Sequence, residues 1–171
     1  MTEDLSPHLD LRPIEPEDVD AVQAVIESDE GYVERVTGLP PGPADAQSLL
    51  LMRPPDLPEE HKVVYGAWAA GELVALLDVL RGWPAPDVAH LGLLQVRGDR
   101  QGQGIGRRVH ELLLSRLWPE IATLRIAIVQ TNAAVAEPFW RSLGYAPSGE
   151  PKPYRYANLS STSQIWTREV R

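Results

Sequence analysis

Gln101-Gly102-Gln103-Gly104-Ile105-Gly106-Arg107-Arg108 separates two stretches of different period. Upstream, Val88 to Val96 reads as a long strand. Downstream, Ile105, Val109, Leu112, Leu113 and Leu117 recur at i, i+4, i+7, i+8 and i+12, one face of a helix. A strand, a turn of alternating glycines and a helix therefore follow one another. Glycines in such a turn let the backbone come close to a ligand, and the start of a helix offers N–H groups without intrahelical partners. With Arg107 and Arg108 beside them, these features make an anion site suited to a pyrophosphate. A plain turn capping a helix calls for neither the repeated glycine nor the paired arginine.

Spacing separates the ligand classes that use such turns. A P-loop ends in Gly-Lys-Ser/Thr, where this chain has Gly106-Arg107-Arg108. The dinucleotide fingerprint G-x-G-x-x-G fails from either start: from Gly102 its last position is Arg107, and from Gly104 it is Val109.

Working outward, Leu9 to Ile14 reads as a short first strand. Pro16-Glu17-Asp18 opens a helix whose apolar stripe is Val19, Val22, Val25 and Ile26. Gly38 to Pro43 breaks the chain, and a second helix over Ala44 to Met52 stops before Pro54-Pro55. Lys62 to Ala69 and Glu72 to Leu80 flank Ala70-Gly71, a hairpin signal, and Val88 to Val96 extends the meander. After the central helix come a strand at Leu124 to Val129 and a short helix around Pro138 to Leu143, with Gly144 as its C-cap. Tyr145 to Ala146 and Ser163 to Val170 close the sheet. This order predicts an α/β (α+β) fold: a mixed, mostly antiparallel central sheet flanked by helices. One domain spans 9–171 behind a loose tail over 1–8.

The 171 residues are 43% hydrophobic and 23% charged, as in ordinary globular proteins. A net charge of −8 argues against nucleic-acid binding, which needs a basic face. The absence of cysteine removes disulfides, thiolate metal sites and a cysteine nucleophile. The four histidines are scattered and form no metal motif. The N-terminus lacks the apolar core of a signal peptide, and no stretch approaches the roughly 18 apolar residues of a membrane helix. A cytoplasmic protein with no membrane partner is expected.

Gln101, Gly104 and Gly106 fit the pattern Gln-x-x-Gly-x-Gly. Further on, Asn132 is followed by Phe139-Trp140-Arg141-Ser142-Leu143-Gly144-Tyr145. On these motifs the chain resembles the GNAT superfamily of N-acetyltransferases, over roughly Leu9 to Val170. The resemblance implies acetyl-CoA as donor and no metal. It implies that Gln101, Gly102, Gln103, Gly104, Ile105, Gly106 and Arg107 hold the pyrophosphate, that Leu94, Gln95 and Val96 pair with the pantetheine arm, and that Asn132 also contacts the cofactor. It implies direct transfer to an amine within a ternary complex, with backbone N–H groups near Val96 polarising the thioester carbonyl. The acceptor would be a small-molecule or peptide amine, and a homodimer would be in keeping with the family.

Trp140 stands where the family often has a tyrosine that protonates the departing thiolate, and an indole N–H cannot do this. The substitution keeps a second reading open, a non-catalytic acyl-CoA-binding or sensing module on the same fold. Tyr145 and Tyr154 are candidate replacements. His90, six residues before Val96, lies near the place of a base in some members and has a suitable ordinary pKa near 6.5; its alternative is an exposed histidine at a strand end. Asp78 interrupts the apolar run Leu73 to Leu80. With Arg81 and Trp83 it would face an acceptor pocket, or else sit on a solvated strand face. Glu30, Tyr32 and Arg35 fall in the family's usual substrate-binding region. His8, His61 and His110 read as surface residues.

Overall fold

The computed structural model describes residues 8–171, so the expected tail lies, apart from His8, outside the described residues. The alternating stretches build the first half of the sheet. β1 (Asp10–Pro13), β2 (Lys62–Ala69), β3 (Glu72–Arg81) and β4 (Val88–Val96) pair antiparallel in that order. Ala70 and Gly71 close the β2–β3 hairpin at φ 50° and 80°, the left-handed pair that matches strand twist. Leu73 to Leu80 is buried throughout, because both faces of β3 are covered.

α4 (Ile105–Ser115) carries the chain across to β5 (Thr123–Val129), which pairs parallel to β4. β5 then pairs antiparallel with β8 (Leu159–Glu169), on which β6 (Ala146–Pro147) and β7 (Lys152–Tyr156) also pair. The sheet is eight-stranded among the described residues, mixed and mostly antiparallel, as expected.

Helices cover both faces. α1 (Val19–Glu27), α2 (Glu30–Thr37) and α3 (Asp45–Leu51) supply one core, where Val22, Val25, Ile26, Val33 and Ala46 meet Leu73 and Leu76. α4 and α5 (Ala133–Ser142) supply the other, where Ile105, Val109, Leu113 and Ala133 meet Leu77, Val79, Leu124 and Ile126. Neighbouring Leu76 and Leu77 thus serve opposite cores, as strand alternation requires.

Several elements differ from expectation. α2 is absent from the sequence reading, since it buries only Val33 and has no apolar stripe to announce it. It is held by its ends: the Asp29 carboxylate accepts from Tyr32 N–H at 3.2 Å, and Gly38 ends it at φ 74°. α5 begins at Ala133, with Pro138 inside it instead of opening it. The missing N–H forfeits one helical bond, but Pro138 is exposed, and Phe139 and Trp140 beside it pack on the core. β7 is likewise unannounced, and β8 starts at Leu159 instead of Ser163, because this hairpin is largely exposed and lacks an apolar pattern.

Candidate functional site

β4 and β5 pair only from Val88–Thr123 to His90–Arg125 and then part. At the parting, β4 carries a bulge. Asp78 and Val79 of β3 face Leu93 and Leu91, leaving Gly92 as the extra residue. A cleft of about 500 Å³ opens here, lined by Leu91 to Val96 on one side and Ile126 to Ile128 on the other. It runs through the sheet, from Phe139 and Trp140 of α5 to Tyr32 and Arg35 of α2. The ladder also exposes backbone donors. Arg97 N–H bonds Val74 C=O on β3 at 2.8 Å. Antiparallel alternation therefore turns the Val96 and Leu94 N–H groups the other way, toward the gap.

The glycine turn stands at the mouth of this cleft, with Gly102, Gly104, Gly106 and Arg107 all on its lining. Gly104 holds φ 79°, a conformation costly for other residues, and the space where its Cβ would stand is empty. The first α4 bond runs from Arg108 N–H to Gly104 C=O at 3.1 Å. The N–H groups of Ile105, Gly106 and Arg107 are left without helical acceptors, at the positive end of the helix dipole.

Of the expected cofactor residues, Leu94, Gln95, Val96, Gln101, Gly102, Gly104, Ile105, Gly106, Arg107 and Asn132 line the cleft, whereas Gln103 is exposed outside it. Four of these side chains are already engaged, Gln95 with Val25 C=O at 3.4 Å and Arg107 with Ser142 Oγ at 3.0 Å. Gln101 Nε2 donates to Asp29 at 2.7 Å and to Val96 C=O at 3.2 Å. Asn132 Oδ1 accepts from Arg35 Nε at 2.8 Å. Thr131 Oγ donates to Arg35 C=O, so α2 is tied at its far end to the turn after β5.

Neither candidate catalytic residue lines the cleft. Asp78 is buried, not on a solvated face, and its Oδ1 lies 2.8 Å from Lys62 Nζ. Burial raises its pKa above the ordinary carboxylate value, against the pull of Lys62. Its other oxygen sits behind the cleft wall, where a Cβ on Gly92 would come within 2.6 Å. His90 Nδ1 lies 2.9 Å from Arg125 Nη1, with Trp83 edge-on to the ring at 5.3 Å. Burial, then the Arg125 charge, lower its pKa to about 4.

His110, read as a surface residue, is buried, and its Nε2 is 2.8 Å from Tyr145 Oη. Its neighbours Val109 and Leu113 set the same helix face, so a slightly wider stripe would have included it. Tyr145 is thereby occupied in the core, and Tyr154 Oη donates to Val36 C=O at 2.7 Å. Neither lines the cleft. Tyr32 does, with a hydroxyl kept protonated by a pKa pushed up to about 12, chiefly by burial.

A strand pair that opens around a helix-capping glycine turn is the frame of an acyl-group transferase. The family model of the acetyltransferase (GNAT) domain matches residues 53–156, more than half of the chain, and the chain belongs to this family. Solved structures agree in fold. An acetyltransferase from Thermus thermophilus is 22% identical, with a TM-score of 0.77 over 96% of this chain and 99% of that one. The ribosomal-protein-S18-alanine N-acetyltransferase from Escherichia coli is 20% identical, with a TM-score of 0.68 over 95% and 94%. A GNAT family acetyltransferase from Elizabethkingia anophelis, solved with acetyl-CoA bound, is 13% identical, with a TM-score of 0.61 over 95% and 98%. No curated protein matches the chain. Among the described residues, no helix is long and apolar enough to cross a membrane, and no group of histidines and carboxylates could hold a metal.

Proposed function

We propose that the protein is an acetyl-CoA-dependent N-acetyltransferase that acts on a primary amine by direct transfer in a ternary complex. The observation that carries this is the parted β4–β5 pair with the Gly104 turn at its mouth. The N–H groups of Ile105, Gly106 and Arg107, with the Arg107 side chain, would receive the pyrophosphate. The free edge of β4 at Leu94 and Val96 would pair with the pantetheine arm. The Val96 N–H would polarise the thioester carbonyl.

The acceptor enters from the α2 side. Its nitrogen attacks the carbonyl carbon, the C–S bond breaks, and the amine proton leaves through water. Neither His90 nor Asp78 is needed for that step. A thiol with an ordinary pKa near 8.5 is a fair leaving group without a strong acid. Tyr32, a protonated phenol on the cleft wall, would be the candidate donor to it. Most of the acceleration comes from holding two reactants together.

The test is the thermal midpoint with and without millimolar acetyl-CoA or CoA, followed by thiol release with an amine panel. A ligand at 100 times its Kd stabilises by about 2.7 kcal/mol, which for a chain of this size raises the midpoint by roughly 5–10 °C. Gly104→Glu places a side chain and a negative charge in the empty space at the turn and abolishes the rise. No rise in the folded wild-type protein refutes the proposal. A rise without thiol release from any amine favours the sensing module, the reading to which Trp140 lends support.

A further inference from the structure

α2 turns one face to the cleft. Asp29 at its N-cap, Tyr32 and Arg35 follow at three-residue spacing, and all three line the cavity. Arg35 is held there. Its Nε donates to Asn132 Oδ1 at 2.8 Å, and its Nη1 lies back over Gly31, 3.0 Å from where a Cβ would stand. A guanidinium carries N–H groups on all three nitrogens. Among the described residues, this one uses only Nε in a hydrogen bond, so its outer fork has donors to give.

The charged residues on the cleft lining are Arg35, Arg100, Arg107 and one carboxylate, Asp29. Arg107 stands in the first turn of α4, at the pyrophosphate end. Arg100 lies just before the glycine turn, 3.2 Å from Glu72. The two oxygens of Asp29 already accept from Tyr32 N–H at 3.2 Å and from Gln101 Nε2 at 2.7 Å, and its charge faces the positive end of the α2 dipole. Tyr32 is neutral, since burial pushes its hydroxyl pKa up to about 12. At the α2 end of the cleft, the charged group left to meet an acceptor is therefore the Arg35 guanidinium.

We propose that Arg35 selects the acceptor by binding an anionic group, a carboxylate, phosphonate or sulfonate, that the acceptor carries near its amine. The proposal rests on the acetyl-transfer function above, with the acceptor entering from the α2 side. The two Nη groups offer paired donors to such an oxyanion. The same charge repels an acceptor whose only charges are positive, so a zwitterion is favoured over a polyamine. Arg35 is a binding residue and takes no part in moving the proton.

The experiment measures thiol release at saturating acetyl-CoA. Glycine, β-alanine and L-alanine are each set beside their carboxamide, and 2-aminoethylphosphonate and taurine beside ethanolamine. Spermidine serves as an amine with no anion. At least one anionic amine is expected to be used about tenfold or more better than its neutral counterpart, and the arm in which this occurs identifies the anion. Arg35→Gln keeps a donor for Asn132 and removes the charge. It is expected to bring that ratio close to one through KM, with the acetyl-CoA thermal shift retained. Arg35→Lys, which keeps charge but loses the fork, falls between. Equal use of every pair by the wild-type protein overturns the proposal, whatever the variants do. So does a preference for spermidine, or turnover of no anionic amine in a protein that acetyl-CoA stabilises. An unchanged ratio in Arg35→Gln removes Arg35 from the acceptor, and loss of the thermal shift in that variant assigns the guanidinium to the cofactor; either result overturns it. Absence of the shift in the wild-type protein marks failure of the acetyl-transfer function itself.

Discussion

Lys62→Met isolates the ion pair behind the cleft wall. Lys62 Nζ and Asp78 Oδ1 are 2.8 Å apart, with side chains only 6% and 10% exposed. Removing one partner of a buried pair leaves an uncompensated charge and costs about 3–5 kcal/mol. The cost depends on pH, and the sign is fixed by Asp78. Its carboxyl already titrates above the ordinary range because burial outweighs Lys62, the one group that lowers it. Without Lys62 it rises further. A carboxyl whose folded pKa exceeds its unfolded value favours the folded state at low pH and loses that contribution as pH rises through the folded pKa. The variant is therefore weakest near pH 8 and recovers part of its loss near pH 5. In urea, with a slope of roughly 2 kcal/mol per molar, the midpoint at pH 8 falls by about 1.5–2.5 M. Equilibrium unfolding at both pH values is the assay. A loss below about 1 kcal/mol that is the same at both would place the pair among solvent-screened surface contacts and refute the reasoning.

Two further perturbations test the frame around the cleft. Burial, with Arg168 and Arg107 adding, lowers the His110 pKa to about 4, so the native state holds it neutral while the unfolded chain titrates near 6.5. That contribution is intact above pH 6.5 and lost as pH falls toward 4. The urea midpoint should drop across this window, His110→Leu should flatten the drop, and an unchanged slope would deny His110 the role. Asn132→Ala removes the acceptor of Arg35. It should speed amide exchange in α2 while changing global stability by no more than about 1.5 kcal/mol; unaltered α2 protection would mean that this bond does not hold the helix over the cleft.

Elements with a strong apolar period were legible in the sequence, because period and burial are the same fact seen twice. The β2–β3–β4 meander and α4 lie close to where alternation and the Ile105, Val109, Leu113 stripe put them. α2 and β7 were not legible for the converse reason. α2 is fixed by the Asp29 and Gly38 ends and by bonds from Thr131 and Tyr154 far along the chain. β7 is an exposed strip held by β8. Local caps and distant partners leave little trace in a hydrophobic pattern.

The site shows the same division more sharply. The glycine turn could be read because it concentrates special backbone needs within a few residues, and Gly104 at φ 79° is one of them. His90 and Asp78 looked equally apt by position, yet neither faces the cleft. Which β4 residues face it depends on where β4 parts from β5 and on the bulge at Gly92, which shifts every side chain after it by one place relative to β3. Neither feature can be counted from the sequence, since each is set by pairing with a neighbouring strand, and β5 arrives a helix later. The β4–β5 register ends at the pair His90 and Arg125. At that vertex the Arg125 guanidinium, 2.9 Å away, takes the Nδ1 lone pair of His90, a contact between residues 35 apart that only the β4–β5 pairing creates.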